Sequence, residues 1–374
     1  MNLYKIGCNF DEKLIDTVVE LNKKYEGRGK IVEMFGSDSE HAELAARPAW
    51  RLQSLTEEQF RSFVKKCNDN GIIFNYTLNS IQPYSSKQEL VAHKAEVQDF
   101  IKFLIDAGVK RLTIANPMLM YIAREVTDIS IEVSTIAHID TVTQLKYFHE
   151  SLGIDKFCCS ILKNRNRDFL KHAADYCNKH GLILELLANE FCGVSGVDQE
   201  TDLPYTTHCV YRDSCYLCHA SCKTKEDSMS YNNYPMRYCM TARGKAQEGW
   251  LRLRWIRPED QKLYNEIGIN YFKLSGRTGT TEYLKMIMES YLSESFDGNL
   301  LELWKPLQTI YTGQKESDFE HKENIPNKLL DGFVKKNWFD QNFDCADQEC
   351  GTTCTYCRDF YKSIENQLTN KKDD

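Results

Sequence analysis

Short apolar, β-rich runs alternate with stretches whose apolar residues recur at helical spacing, and the alternation repeats along most of the chain. The helical stretches end in a glycine followed by an apolar residue: Gly71-Ile72, Gly108-Val109, Gly153-Ile154, Gly181-Leu182 and Gly268-Ile269. Glycine takes the left-handed conformation that stops a helix and turns the chain into the next strand. Eight strands are predicted, at 3–8, 30–35, 72–78, 110–115, 130–136, 155–161, 182–188 and 270–274. Amphipathic helices lie between them, among them 57–68, where Thr56 and Gln59 have capping-box spacing. Pro117 and Pro258 sit where a first-turn proline starts a helix. Strand and helix in strict alternation imply parallel strands with helical crossovers. Eight such units predict an α/β fold, a (β/α)8 TIM-like barrel. An open doubly wound sheet is the alternative, but it usually carries a glycine-rich turn after its first strand, where this chain has Cys8-Asn9-Phe10.

The regularity breaks after strand seven, in an insertion at 190–257 holding Cys192, Cys209, Cys215, Cys218, Cys222 and Cys239. It stops after the eighth helix, so residues 1–295 read as the barrel and 296–374 as a C-terminal cysteine-rich lobe. That lobe carries Trp304, Trp338, Phe339 and the run Cys345, Cys350, Cys354, Cys357. These aromatics either pack the lobe onto the barrel or offer a surface to a protein partner subunit.

The 374 residues, 42% hydrophobic, suffice for one large core with an appendage. A net charge of −7 argues against general nucleic-acid binding. With no apolar run long enough to cross a bilayer and no apolar leader in MNLYKIGCNFDEK, a soluble cytoplasmic protein is expected. Reducing conditions disfavour disulfides, and an odd total of 15 cysteines, ten of them in two clusters, points to metal or redox chemistry.

Barrel enzymes place their chemistry at the C-terminal ends of the strands. The predicted ends supply Glu33, Asn75, Asn79, Asn116, Thr135, His138, Ser160, Asn189, Glu190 and Arg277, a polar ring of mixed charge suited to a small polar or anionic ligand. The turn Ser275-Gly276-Arg277-Thr278-Gly279-Thr280 opens a helix, and glycine-exposed amides with an arginine can hold phosphate or carboxylate. Asn79, Asn116, Gly276, Arg277 and Thr278 are therefore the anion-binding candidates. The same turn is equally consistent with an arginine held in a salt bridge. His138 with Asp140 could form an acid–base pair, or Asp140 could cap the next helix. Glu190 is a candidate general base or substrate anchor, or the partner of an arginine. The catalytic candidates are Glu190, His138 and Arg277.

Zinc favours two C-x-x-C knuckles, and the insertion shows one, Cys215-Tyr216-Leu217-Cys218. The irregular spacing of Cys192, Cys209, Cys222 and Cys239 suits an iron–sulfur cluster, which spans more space than one ion. Spacing leaves both open. The second site, Cys345, Cys350, Cys354 and Cys357, fits a second cluster or a zinc ion that staples a small lobe.

The run Ile256-Arg257-Pro258-Glu259-Asp260, then Tyr264, Ile267-Gly268-Ile269 and Phe272-Lys273-Leu274-Ser275-Gly276-Arg277, resembles the signature of the collagenase-like peptidase family, whose catalytic type is unassigned. Asn189-Glu190-Phe191-Cys192 is similar to the family's cysteine-bearing segment, and the resemblance spans 5–292. It implies a TIM-like barrel and a 4Fe-4S cluster on four insertion cysteines. Those are Cys192, Cys209, Cys222 and Cys239, with Cys215 or Cys218 as substitutes. Several members take part in oxygen-independent hydroxylation of ubiquinone precursors or RNA bases, some with prephenate as hydroxyl source. Others are described as proteases, and members can work in pairs. This chain departs from the common S-G-x-C step, showing Ser195-Gly196-Val197. The leading expectation is an iron–sulfur enzyme modifying a small molecule or nucleobase. A peptidase is the second, although neither G-x-S-x-G nor H-E-x-x-H occurs and Cys8, Cys158 and Cys159 are weak nucleophile candidates. A non-catalytic electron-transfer or redox-sensing subunit is the third.

Overall fold

A computed structural model describes residues 1–47, 49–190, 247–277, 279–304, 324–334, 345 and 354–369. Eight strands close into an all-parallel barrel in sequence order. They are β1 (Asn2–Gly7), β2 (Gly29–Gly36), β3 (Ile73–Leu78), β4 (Arg111–Ile114), β5 (Ser130–Val133), β6 (Lys156–Cys158), β7 (Ile183–Leu187) and β8 (Tyr271–Leu274). β8 closes the ring by pairing with β1, Lys5 opposite Lys273.

All eight predicted strands are present, but β5 and β6 stop short of the predicted ends. Both run into single 3₁₀ turns, Thr135–Ala137 and Ile161–Lys163. In the first, the Ser134 side chain accepts the Ile136 N–H and turns the chain off the sheet.

The helices are α1 (Glu12–Lys24), α2 (Glu57–Asp69), α3 (Lys87–Ala92), α4 (Lys94–Asp106), α5 (Pro117–Arg124), α6 (Val142–Leu152), α7 (Arg167–His180), α8 (Gln261–Asn265), α9 (Thr281–Ser293) and α10 (Tyr356–Thr369). α2 begins at the predicted capping box of Thr56 and Gln59. Pro117 opens α5, whereas Pro258 opens a 3₁₀ turn ahead of α8. Gly153 and Gly181 stop α6 and α7 in the left-handed conformation, at φ of 61° and 67°.

Outward-facing strand residues such as Tyr4, Ile6, Phe74, Leu112, Ile131, Phe157, Leu186 and Phe272 are buried beneath the helix ring. Phe60 of α2 meets Phe74 and Tyr76 edge to face, at centroid separations of 5.9 and 5.8 Å. Such pairs add about 0.5–1.5 kcal/mol each beyond area burial.

The segment after α9 lies against the barrel. Trp304 is buried and meets Trp250 at 6.0 Å, and Phe333 stacks between Trp255 and Tyr356. Arg257 anchors it, donating to the Asn327 carbonyl at 2.8 Å and forming an ion pair with Asp260. Trp304 thus packs the lobe onto the barrel, while Trp338 and Phe339 lie outside the described residues. No described helix is long and apolar enough to cross a membrane.

Candidate functional site

Barrel interiors are usually filled by branched apolar side chains. Here the inward positions carry charge: Lys5 on β1, Glu33 on β2, Arg111 on β4, Glu132 on β5, Lys156 on β6, Glu185 on β7 and Lys273 on β8. Parallel strands put alternate residues on opposite faces, so one charge set between apolar neighbours points into the lumen. Glu33 and Asn75, expected at the mouth, belong to this interior layer instead. Each lies too early on its strand to reach the rim, and both are fully buried.

The charges interlock. Lys156 Nζ lies 2.9 Å from Glu33, 3.2 Å from Glu132 and 2.6 Å from Glu185. Lys5 pairs closely with Glu132 and sits 3.0 Å from Glu185. Arg111 pairs closely with Glu33, which also accepts the Tyr271 hydroxyl at 2.8 Å. Asn75 donates to Glu33 at 2.7 Å and to Glu132 at 3.1 Å, while its own oxygen accepts the Thr113 hydroxyl at 2.8 Å. Burial alone would raise the Glu33 and Glu132 carboxyls, but Lys156 and Lys5 outweigh it and hold both well below the usual range. Burial would likewise lower Lys5 and Lys156, yet Glu132 and Glu185 raise both ammonium groups.

Lys273 is the exception. Its Nζ is 4.0 Å from the nearer Glu132 oxygen and 4.4 Å from the Phe35 ring centroid. Burial, and then the like charge of Lys5, lower its pKa. Beside it, burial and then Glu185 push the Cys158 thiol up to about 12. Ligand atoms of Glu132, Cys158 and Glu185 lie within 4.8 Å of one another, a grouping of the size a metal ion needs. Lys5 and Lys156 already occupy both carboxylates, however, and the thiol stays protonated. This trio fits an ion-pair lattice better than a metal.

Above the lattice lies the mouth. Arg277 crosses it from the end of β8, its guanidinium donating to the Thr77 hydroxyl at 2.9 Å. Gly7 makes the crossing geometrically feasible: a Cβ there would lie 2.7 Å from the Arg277 amide nitrogen. Burial, then the nearby Arg51, lower the Arg277 pKa to about 10, so it stays cationic at neutral pH. Two guanidinium groups brought together at a barrel mouth make an anion-attracting surface. The turn holding Arg277 is fixed by the Gly279 amide donating to the Gly276 carbonyl at 2.7 Å and by Asn9 bonding Gly279 and Thr281. Gly276 has a φ of 130°. Thr278 lies outside the described residues.

The other candidates hold the rim. Asn79 accepts the Ala46 amide at 3.2 Å, tying the long loop after β2 to the mouth. Asn116 caps α5 through Met118 and Leu119 and donates to the Ile81 carbonyl at 3.0 Å. His138 ends the turn after β5 in the left-handed conformation, at a φ of 54°. Asp140 does not cap α6; Thr141 does, in a capping box with Gln144, whose side chain also takes the Asp140 amide. Asn189 stitches β7 to the Ser275 backbone and to the Leu303 carbonyl. Glu190 accepts the Trp304 indole N–H at 2.9 Å.

Of the cysteines singled out by spacing, Cys192, Cys209, Cys215, Cys218, Cys222, Cys239 and Cys350 lie outside the described residues. Cys345 and Cys357 are buried near Arg165, and Cys354 is half-buried two residues ahead of α10.

Residues 42–160 match the family described as Peptidase family U32. They carry a U32 domain. That domain runs from the loop after β2 to the end of β6, and so holds Asn79, Asn116, His138, Arg111, Glu132 and Lys156. Lys273 and Arg277 lie beyond it. A relative from Methanocaldococcus jannaschii named an uncharacterized protease is 24% identical over 260 residues, 69% of this chain and 67% of that protein. A solved U32 peptidase is 14% identical over 74% of this chain and 92% of its own, with a TM-score of 0.47. A D-psicose 3-epimerase solved with D-fructose is 11% identical over 58% of this chain and 80% of its own, with a TM-score of 0.34.

Proposed function

We propose that this U32-domain barrel is an enzyme that binds a small anionic substrate at its C-terminal mouth and modifies it without oxygen, in a hydroxylation-type reaction. One observation carries the reading: Arg277, held across the mouth by Thr77 and backed by Arg51, presents a cationic grip where barrel substrates bind. Arg277 would orient a carboxylate or phosphate, and the charged lumen would form the floor beneath it. The insertion leaves the barrel at this same end, through Asn189 and Glu190. A 4Fe-4S cluster on Cys192, Cys209, Cys222 and Cys239 would supply one-electron chemistry. The four soft thiolate donors suit such a cluster.

Peptide hydrolysis is the second reading, favoured by the family name and by a relative called a protease. Arg277 would then anchor a peptide carboxylate. The described thiols argue against a cysteine nucleophile. Burial raises Cys8, Cys158 and Cys159, whereas a nucleophilic cysteine needs a depressed pKa.

Anaerobic purification with iron and sulfide quantification, followed by calorimetric titration with prephenate and citrate, tests the proposal. The expected result is iron with equivalent sulfide, and carboxylate binding that weakens by about tenfold, or ~1.4 kcal/mol, in Arg277→Ala. Affinity unchanged in that variant removes the anion-binding reading. A cluster without any ligand binding points to the electron-carrying subunit instead, and absence of sulfide with turnover of a denatured protein favours the peptidase.

A further inference from the structure

Among the described residues, the barrel lumen carries four cations, Lys5, Arg111, Lys156 and Lys273, against three carboxylates, Glu33, Glu132 and Glu185. Three of the cations are matched at hydrogen-bond distance. Lys273 is not. Glu132 is 4.0 Å away, and among the described residues the Lys273 ammonium makes no hydrogen bond. It is also the one of the three lumen lysines that reaches outward: its side chain is 7% exposed, against 0% for Lys5 and Lys156. Strand alternation puts Lys273 one inward step below Ser275, which opens the Arg277 turn. The groups facing it are Lys5 and the Phe35 ring on one side, and Cys158, Glu132 and Glu185 on the other.

An ammonium that is buried, repelled by a neighbouring cation and given no acceptor favours losing its proton, and a neutral amine is a nucleophile. We infer that Lys273 is a ligand-binding amine that captures a small carbonyl compound bearing an anionic group, forming an imine at the base of the mouth. The substrate class rests on the anion-binding reading above; the amine does not. In the step, the nitrogen lone pair attacks the carbonyl carbon and the C=O π pair moves to oxygen, giving a carbinolamine. Loss of that oxygen as water, with two protons from the original ammonium, leaves a protonated imine. Overall, one ammonium and one carbonyl give one iminium and one water, with no change in oxidation state. An anionic group on the same ligand would also balance the surplus lumen cation.

Reductive trapping tests this. The full-length protein, purified anaerobically, is incubated at neutral pH with glyoxylate or with acetaldehyde in the presence of cyanoborohydride, and labelled lysines are mapped by peptide mass spectrometry. Lys273 is expected to label ahead of exposed lysines such as Lys30 and Lys110, because burial beside Lys5 with no acceptor leaves it a larger free-amine fraction. Arg277→Ala is expected to slow labelling by glyoxylate while leaving acetaldehyde labelling of Lys273 intact. If acetaldehyde labels Lys273 first and glyoxylate shows no Arg277 dependence, the amine stands and the anionic ligand class falls. If Lys273 labels no faster than Lys30 with either reagent, the inference is overturned. Because the wild-type protein gives that result directly, the test does not depend on a Lys273 variant folding.

Discussion

Lys156 and Lys273 are both buried lumen lysines, yet their substitution is expected to have opposite consequences. Lys156 touches three carboxylates. Lys156→Met would leave Glu33, Glu132 and Glu185 underneutralised in a site that excludes water, and removing one partner of a buried ion pair typically costs ~3–5 kcal/mol. Among the described residues Lys273 has no partner nearer than Glu132 at 4.0 Å to orphan, and methionine matches its length without a charge to desolvate. Urea unfolding at pH 7 should therefore show a large loss for Lys156→Met and an unchanged or raised midpoint for Lys273→Met. Equal losses in the two variants would mean that Lys273 is held by the lattice after all. The linkage sign agrees. A lysine whose folded pKa lies below its unfolded value of ~10.4 weighs against the fold below the folded value, and the penalty fades as pH rises between the two.

At the scale of elements, Gly7 shows how one strand end sets the geometry of the mouth. A Cβ at this position would press within 3.0 Å of the Arg277 backbone, so Gly7→Ala must push the β8 turn away from β1. Overpacking of this kind costs ~1–3 kcal/mol and displaces what it meets. The variant is expected to keep the circular dichroism of the barrel but lose carboxylate affinity nearly as far as Arg277→Ala does; retained affinity would show that the turn tolerates the shift. On α2, Thr56→Ala removes the side-chain half of the capping box and should lower stability by ~1 kcal/mol in urea titration without touching ligand binding. That helix, like the other βα units, was legible because local rules decide it: an apolar stripe, a cap and a stopping glycine. The candidate site was only partly legible. The glycine-rich turn pointed to Arg277, but nothing local announces that Thr77, two hundred residues away, holds its guanidinium. The lumen lattice did leave a signal that the expectation of apolar filling hid. Lys5, Glu132, Lys156, Glu185 and Lys273 are each a lone charge within a short strand of otherwise mostly apolar residues, and Glu33 follows the apolar pair Ile31-Val32 in β2. In a strand buried on both faces, such a residue must point into the lumen and must find partners there. The partners lie on other strands, 127 residues away for Lys5 and Glu132, and only closure of the barrel brings them together.

For the whole molecule, that closure makes the lattice a cooperative element. It links β1, β2, β4, β5, β6 and β7 through charges that cannot be solvated individually, so loss of the carboxylate charge should loosen the ring as a unit. Glu33 and Glu132 have folded pKa values well below the usual range because Lys156 and Lys5 outweigh the effect of burial. Their contribution to stability is thus fully present above the unfolded value of ~4.3 and is lost as pH falls below it toward the folded values. The paired lysines act at the other end of the scale. Lys5 and Lys156 have raised values, so their contribution holds below ~10.4 and fades only as pH rises through the folded values above it. Between these limits the lattice contributes a flat plateau. The urea midpoint should accordingly change little between about pH 5 and 9 from these groups and fall steeply between about pH 4 and 3. Glu132→Gln provides the control. An amide cannot titrate, so this variant should be less stable than the parent at pH 7 yet lose less on acidification, and the two curves should approach each other steadily as the pH falls below about 4. Parallel curves would show that acid sensitivity arises on the surface and that the lumen charges do not govern closure of the barrel.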